Sequence, residues 1–282
     1  MKSSYYKYFA ALLLFGSNGI VASNINLPSY EIVLLRLLLG SLFLITVFTV
    51  SRQRFTFYRN KHTCLYLFIS ASAMGASWML LYEAYQQVGI SIASLAYYCG
   101  PVIVMILSPF LFRETLTWPK IAGFLIVLAG MCLVNLQALD EGKTIWGLFC
   151  GLMSAFMYAL MVTANKKAKP ESGLENSLLQ LVIGSFIVVA FVSMQKNFVL
   201  SLTTIDWIPV LVLGLLNTGI GCYLYFSSIT DLPVQTVAIC GYLEPLSAVV
   251  FSVLFLHEVL LPLQMLGAVL ILGGAIFGEC FN

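Results

Sequence analysis

Two stretches of this chain, 144 residues apart, carry the same residues at the same spacings. Pro101, Glu114, Gly123 and Gly130 return as Pro245, Glu258, Gly267 and Gly274, separated both times by 13, 9 and 7 residues. Tyr98/Tyr242, Ser108/Ser252, Leu116/Leu260 and Leu128/Leu272 fall on the same offset, and Gly40/Gly184 and Gly75/Gly219 extend it backwards. Leucine pairs carry little weight, because apolar helices match one another by chance. The proline, glutamate and glycine pairs carry more, because these residues are uncommon in or beside such helices. An internal duplication follows: whatever the first half builds, the second half builds again.

What each half builds is decided by its solvent. The chain is 60% hydrophobic and 9% charged, where soluble domains are about 25% charged. Such a chain uses lipid as solvent, so every backbone N–H and C=O must be satisfied internally, by helices or a closed barrel. The apolar runs are continuous rather than alternating, which selects helices. Ten runs approach the roughly 20 residues a span needs: 5–23, 31–50, 63–85, 91–112, 119–136, 145–165, 175–194, 207–228, 233–256 and 262–279. The expected fold is an all-α integral membrane protein, with residues 1–139 and 140–282 as two five-helix repeats. The first run lacks a small-residue cleavage site and reads as a span rather than a signal peptide.

Lys and Arg set the orientation. With the N-terminus inside, Lys2, Lys7, Arg52, Arg54, Arg59, Lys61, Arg113, Lys120, Lys166, Lys167 and Lys169 are internal, and only Lys143 and Lys196 are external. Both termini are then cytoplasmic. Each repeat has an odd number of spans, so the second copy enters from the opposite side. An inverted pair of bundles is the architecture of many secondary transporters, whose site lies near mid-membrane at interrupted helices. Pro101 and Pro245 fall mid-span, where each should kink its helix, and they are the expected hinges.

The polar residues inside the spans are the candidate site. Glu83 lies deep in the third span, where a lone carboxylate normally faces a cavity or a partner; it would bind a substrate amine or take a proton, or else pair near the external mouth. Glu244 precedes Pro245, and its repeat mate is Gly100, so the halves differ in charge at the kink. It reads as a site residue or as a structural hydrogen-bond partner there. Arg36, whose mate is Gln180, is expected to pair with a carboxylate on another span, with a substrate-carboxylate clamp as the second reading. Trp78, Tyr82 and Tyr85 share a helix face. Tyr97, Tyr98, Tyr158 and Tyr242 lie too deep for an interfacial belt, and with Tyr223 and Tyr225 they are expected to wall a cavity in which rings stack on a substrate or hold a cation. Asn18, flanked by small residues, borders it; Asn217 reads as an interhelical bridge. Glu114 and Glu258 read as structural, bonding backbone N–H groups at the start of the next span. Gly123, Gly130, Gly267, Gly274 and Gly278 give the fifth and tenth spans smooth packing faces.

Other chemistries lack their residues. The seven cysteines (Cys64, Cys99, Cys132, Cys150, Cys222, Cys240 and Cys280) sit in or beside apolar runs without a CxxC pair and read as apolar fillers. His62 and His257 are the only histidines, so no metal site and no cofactor is expected. No intramembrane nucleophile set appears, and no P-loop for ATP; an enzyme is not expected. The net charge of +2 implies no nucleic-acid partner. The basic loop from Arg52 to Lys61 is a topology determinant, compatible with anionic lipid. The partners are the bilayer and a small-molecule substrate; a monomer is expected, with an oligomer left open.

With its five-plus-five spans, the basic loop after the second and the repeated Pro…Glu…Gly…Gly pattern, the chain resembles the EamA branch of the drug/metabolite transporter superfamily. Trp78-Met79-Leu80-Leu81-Tyr82-Glu83-Ala84-Tyr85 and Ala96-Tyr97-Tyr98-Cys99-Gly100-Pro101 are similar to its bacterial members. The resemblance covers essentially the whole chain. It implies a bacterial inner-membrane exporter or exchanger of amino acids or related metabolites, with a central cavity lined by spans 1, 3, 4, 6, 8 and 9 and with spans 5 and 10 as scaffold. Cationic drugs or quaternary amines are the alternative cargo. A non-transporting receptor is the alternative class, which the two-sided symmetry does not serve.

Overall fold

The computed structural model describes residues 2–135, 145–194, 207–256 and 262–280, and every regular element among them is helical. The first half contains α1 (Lys2–Gly16), α2 (Asn18–Ser23), α3 (Ser29–Val50), α4 (Lys61–Tyr97), α5 (Cys99–Phe112) and α6 (Trp118–Asn135). The second contains α7 (Ile145–Ala168), α8 (Gly173–Met194), α9 (Trp207–Leu211), a π-helical stretch Val212–Ile220, α10 (Gly221–Ser228), α11 (Val234–Gly241), α12 (Leu243–Leu256) and α13 (Pro262–Cys280). Among the described residues, six stretches are long and apolar enough to cross a bilayer: Tyr30–Val50, Lys61–Val88, Ile145–Ala168, Gly173–Met194, Trp207–Ser228 and Val234–Phe255. Cys99–Phe112, Trp118–Leu133 and Met265–Gly278 are shorter apolar helices. Phe110, Ile145, Phe186 and Val269 stand outward from the bundle, as lipid-facing side chains do and as a water-facing surface would not tolerate in such number.

One element differs from its expected outline. The sequence separates a third span from a fourth, yet helical bonding continues from Lys61 to Tyr97. This helix is not straight. A Cβ at Gly151 would lie 2.8 Å from that of Ala96 and 3.8 Å from that of Ala84, so both alanines touch one point on α7. A straight helix would hold them about 18 Å apart. The chain therefore doubles back between them, and α4 supplies all of the third span and the start of the fourth.

The duplication is visible in the contacts. The Ser41 and Ser185 hydroxyls meet at 3.1 Å, and the Tyr242 hydroxyl donates to the Tyr98 carbonyl at 2.7 Å; both pairs are 144 residues apart. Repeat mates that touch each other lie on the axis that relates the copies. Away from the axis, contacts come in exchanged pairs, as at a self-complementary interface. A Cβ at Gly123 would lie 2.6 Å from the Gly274 carbonyl oxygen, and one at Gly130 would lie 2.6 Å from that of Gly267. Residue numbers rise on α6 as they fall on α13, so the two packed helices are antiparallel. The fold is ten transmembrane helices in two inverted five-helix repeats.

Polar loop groups tie the helix ends together. Glu114 accepts from the Val234 N–H at 2.8 Å and the Gln235 N–H at 3.1 Å. It thus bonds a helix start, as expected, but that of α11 in the other repeat rather than that of the following span. Glu258 and His257 lie outside the described residues, as do Lys143 and Lys196. Arg52, Arg113 and Lys169 take the left-handed conformation, at φ 49°, 58° and 47°, just past the ends of α3, α5 and α7. Glycine is the usual residue there. A basic side chain accepts the backbone strain and brings a positive charge to the carbonyl end of the helix.

Candidate functional site: a central aromatic cavity

A cavity of about 540 Å³ lies between the two repeats. Its lining comes from α1 and α2 (Phe15, Gly16, Asn18, Gly19, Ala22), α3 (Ile32, Arg36), α4 (Met74, Trp78, Tyr82, Tyr85, Tyr97), α7 (Tyr158, Met161), α10 (Cys222, Tyr225, Phe226) and α12 (Glu244, Ala248), with Tyr98 at the α4–α5 break. No residue of α6 or α13 lines it; those helices pack on each other. The second span contributes as well, through α3, which the family resemblance did not imply.

Breaks in the helices shape the walls. The α4–α5 and α11–α12 breaks fall on Tyr98 (φ −70°, ψ −1°) and Tyr242 (φ −71°, ψ −6°). Pro101 and Pro245 are each the third residue of the helix that follows. A proline ring clashes with the carbonyl four residues before it, here those of Tyr97 and Gly241. The helix opens between clash and ring, so the joint lies three residues ahead of the proline that causes it. The carbonyl of Tyr98 is taken up by the Tyr242 hydroxyl at 2.7 Å, which couples the two joints directly. A third break at Ser17 divides α1 from α2. The Asn217 amide bridges it, donating to the Leu14 carbonyl at 2.9 Å, the Ser17 hydroxyl at 2.8 Å and the Asn18 side-chain oxygen at 3.0 Å. Asn217 belongs to the π-helical stretch, a geometry concentrated at functional sites.

Among the described residues, the charged groups that line the cavity are Arg36 and Glu244. Arg36 lies with its guanidinium carbon 4.4 Å from the ring centroid of Trp78. Its Nε donates to the Thr218 hydroxyl at 2.9 Å, which in turn donates to the Leu213 carbonyl at 2.8 Å. The sequence assigns Arg36 a carboxylate partner; the structure gives it a ring and a hydroxyl instead, and leaves its terminal amino groups without a hydrogen bond among the described residues. A cation stacked on a ring in a desolvated site gains about 2 kcal/mol, and the planar guanidinium keeps its outer edge free for a carboxylate. Glu244 is half-buried, and Arg36 is the basic group whose field reaches it. Its repeat mate explains the asymmetry. A Cβ at Gly100 would lie 2.7 Å from the Tyr158 ring, so that ring occupies the room a side chain would need.

Aromatic rings fill the space between the charges. Tyr97 packs against Tyr158 edge-on at 5.5 Å and against Tyr98 at 5.7 Å; Tyr82 and Tyr85 meet at 5.2 Å. The cavity ends where Tyr8, Tyr158 and Tyr225 converge. The Tyr158 and Tyr225 hydroxyls are 3.3 Å apart, and the Tyr8 hydroxyl donates to the Val237 carbonyl at 2.8 Å. Beyond this floor the molecule is sealed. Lys166 donates to the carbonyls of Ile229, Thr230 and Leu232, and Ser4 donates to Asp231 at 2.9 Å. With Glu114 on Val234 and Gln235, the loop between α10 and α11 is held from both sides. The mouth is at the opposite end, beside the α2–α3 connection, where Gly19 and Ser23 are exposed.

Of the expected site residues, the cavity brings together Asn18, Trp78, Tyr82, Tyr97, Tyr98, Tyr158 and Glu244. Three stand apart. Glu83 faces away from the cavity, accepting from Gln87 at 3.2 Å and from the Trp146 indole at 3.3 Å. Helix rotation decides this: Trp78, Leu81, Tyr82 and Tyr85 share the inward face, and position 83 lies about 150° around the helix from the middle of that face. Tyr223 lies off the lining, with the Lys7 ammonium 6.0 Å from its ring. Tyr242 is fully buried and serves the joint. Glu83→Gln is therefore expected to leave transport within about twofold of wild type, since loss of a half-exposed polar contact costs under about 1 kcal/mol; initial uptake rates in proteoliposomes check this. Arg36, Tyr85 and Tyr225 also line the cavity; the sequence offers a substrate clamp as the second reading of Arg36 and counts both tyrosines among the aromatic walls. For Arg36 the signal was present, as an unpaired cation well inside a span.

Comparison with known proteins agrees with this architecture. A model described as the EamA-like transporter family matches the chain twice, over residues 3–136 and 145–277. An uncharacterized transporter of Bacillus subtilis, YxxF, is 27% identical over 275 residues, covering 95% of this chain and 86% of that protein. The threonine/homoserine exporter RhtA of Escherichia coli K12 is 28% identical over 233 residues, covering 82% of this chain and 75% of that one. A solved crystal structure superposes with a TM-score of 0.83 over 99% of this chain and 98% of its own, at 18% identity, and so shares the fold. With both halves of the chain matched in turn, the protein is a multi-pass membrane protein that belongs to the EamA-like transporter family.

Proposed function

We infer that the protein is a secondary transporter, an exporter or exchanger, whose cargo is a small zwitterion of the amino-acid type. The observation that carries this is the pair of opposite charges in one aromatic cavity. Arg36 offers its unbonded guanidinium edge to a carboxylate, and Glu244 offers its carboxylate to an ammonium. A bound amino acid satisfies both; a drug-like cation without a carboxylate satisfies Glu244 and meets the field of Arg36. The name of RhtA, a threonine/homoserine exporter, supports the same class. Trp78, Tyr82, Tyr97, Tyr98 and Tyr158 would hold the side chain of the cargo, and Asn18 would border it.

Energy would come from a solute or proton gradient. Transport would proceed by rocking of the inverted halves, the second taking the shape of the first, with Tyr98 and Tyr242 as the joints that Pro101 and Pro245 impose. We take the halves as residues 1–139 and 140–282, in a bacterial inner membrane with both termini cytoplasmic. The mouth of the cavity then faces outwards and the sealed floor faces the cytoplasm, the side on which the basic loops lie.

The test is a thermal-shift panel on purified protein. Ligands of the folded state raise its melting temperature by mass action. Neutral amino acids are expected to raise it, whereas the matching amines and carboxylic acids, each lacking one charge, are expected not to. A shift with a quaternary amine and none with any amino acid would overturn the zwitterion reading in favour of cationic cargo.

A further inference from the structure

On the sealed face, a second cavity of about 350 Å³ lies between the α3–α4 loop and the α7–α8 loop. Hydrogen bonds fix the two loops to one another. Glu175, almost fully buried, accepts from the Thr56 N–H at 2.6 Å, the Phe57 N–H at 2.9 Å and the Thr56 hydroxyl at 2.6 Å. The Thr63 hydroxyl donates to the Ala168 carbonyl at 3.0 Å, and the Ser172 hydroxyl to the Gln53 side-chain oxygen at 3.0 Å. The concavity is therefore built before any ligand arrives.

Four basic side chains line it: Arg59 before α4 and His62 in its first turn, Lys167 in the last turn of α7 and Lys169 just past it. Among the described residues none of them makes an ion pair. His62 and Lys167 rest on the ring of Tyr66, at 4.5 Å and 6.0 Å from its centroid. Two carboxylates are present as well. That of Glu175 is occupied by Thr56 and Phe57, and Glu171 is exposed.

The duplication supplies an internal comparison. The repeat mates of Arg59, His62, Lys167 and Lys169 are Thr203, Asp206, Ser23 and Ile25, so the repeated fold does not require basic residues at these positions. Membrane topology asks for Lys and Arg anywhere in an internal loop. It does not ask two separate loop–helix junctions to place them around one preformed cavity.

We propose that this cavity binds a phosphate group, carried either by an anionic phospholipid headgroup or by a small phosphate in solution. Its walls are the two loops, the end of α7 and the starts of α4 and α8, the level at which lipid headgroups lie. The Arg59 fork suits two phosphate oxygens at once, and the lysines add point charges. The site is separate from the central cavity, and its test does not depend on the cargo.

The experiment is thermal melting of the full-length protein in a neutral detergent, with added phosphatidylglycerol, phosphatidylcholine or inorganic phosphate at matched ionic strength. A rise of about 5 °C is expected near hundredfold saturation. It should vanish in the combined variant Arg59→Gln, Lys167→Gln, Lys169→Gln and persist in Arg52→Gln with Lys120→Gln, which removes charge outside the cavity. A rise with phosphatidylglycerol but not with inorganic phosphate assigns the site to lipid; a rise with both assigns it to the phosphate itself. Equal effects of the two lipids, no rise with either phosphate source, or a rise retained by the combined variant would overturn the proposal. Should that variant not fold, native mass spectrometry of the wild-type protein decides. It must retain phosphatidylglycerol in preference to phosphatidylcholine, or release bound lipid to added phosphate, for the proposal to stand.

Discussion

Arg36→Met is expected to reduce transport of a zwitterionic cargo by about a hundredfold or more, while the protein still folds. The structural duties of Arg36 are modest: one bond to Thr218 and a stack on Trp78. Methionine partly replaces the stack by packing, and Thr218 keeps its own bond to the Leu213 carbonyl. Its substrate contact is a different matter. Truncating one partner of a buried charged contact costs about 2–5 kcal/mol, and each 1.4 kcal/mol is about tenfold. Arg36→Lys should fall between the two, because an ammonium keeps the charge and loses the planar stack and the two-pronged edge. Glu244→Gln should weaken the amine contact by a comparable amount. Counterflow in proteoliposomes with a labelled ligand from the thermal-shift panel measures all three. Transport by Arg36→Met within twofold of wild type would remove Arg36 from the site.

The largest effect on stability is expected where α6 meets α13. Lipid tails are as apolar as the helices, so helices associate in a bilayer through close packing rather than water exclusion. Here the approach is backbone to backbone. A Cβ at Gly123 would stand 2.6 Å from the Gly274 carbonyl oxygen, and one at Gly274 would stand 2.6 Å from that of Gly123. Neither carbonyl can swing aside as a flexible side chain does. Gly123→Ala, Gly130→Ala and Gly274→Ala should each cost about 1–3 kcal/mol, the range for overpacking. Gly19→Ala and Gly273→Ala, with nothing within 4 Å of the added methyl, should be near neutral. The double variant Gly123→Ala with Gly274→Ala should cost less than the sum, because either change alone already opens the same contact. Melting temperatures in detergent test the series, and equal losses at the open and the closed glycines would show that the α6–α13 approach is not what they serve.

Much of the fold was legible because it rests on quantities a linear sequence carries. Apolar runs of membrane length, the asymmetry of Lys and Arg, and residues such as Gly123 and Gly267 at one offset are all countable. The exchanged contacts between α6 and α13 then follow from the offset and the antiparallel course. Parts of the site were legible for the same reason: Trp78, Tyr82 and Tyr85 at helical spacing share a face, and tyrosines too deep for the interface need a cavity. The structure turns Glu83 away from the cavity, which the sequence does not show because depth says nothing about rotation. Residues 82 and 83 are equally deep, yet one points into the cavity and the other to Trp146. The joints were displaced by three residues because the clash a proline makes lies behind it in the chain.

The lipid solvent, the ten spans and the twofold relation between the halves were determined by the sequence alone, since composition and spacing are properties of residues in order. The tertiary structure alone decided which buried polar group meets which. Arg36 finds Trp78 and Thr218 rather than a carboxylate, Glu114 bonds the start of α11 in the other repeat, and Asn217 bridges the break at Ser17. Such pairings depend on how far each helix is rotated and how closely it approaches its neighbour. Both are settled by packing between segments as many as 235 residues apart, where no spacing along the chain records them.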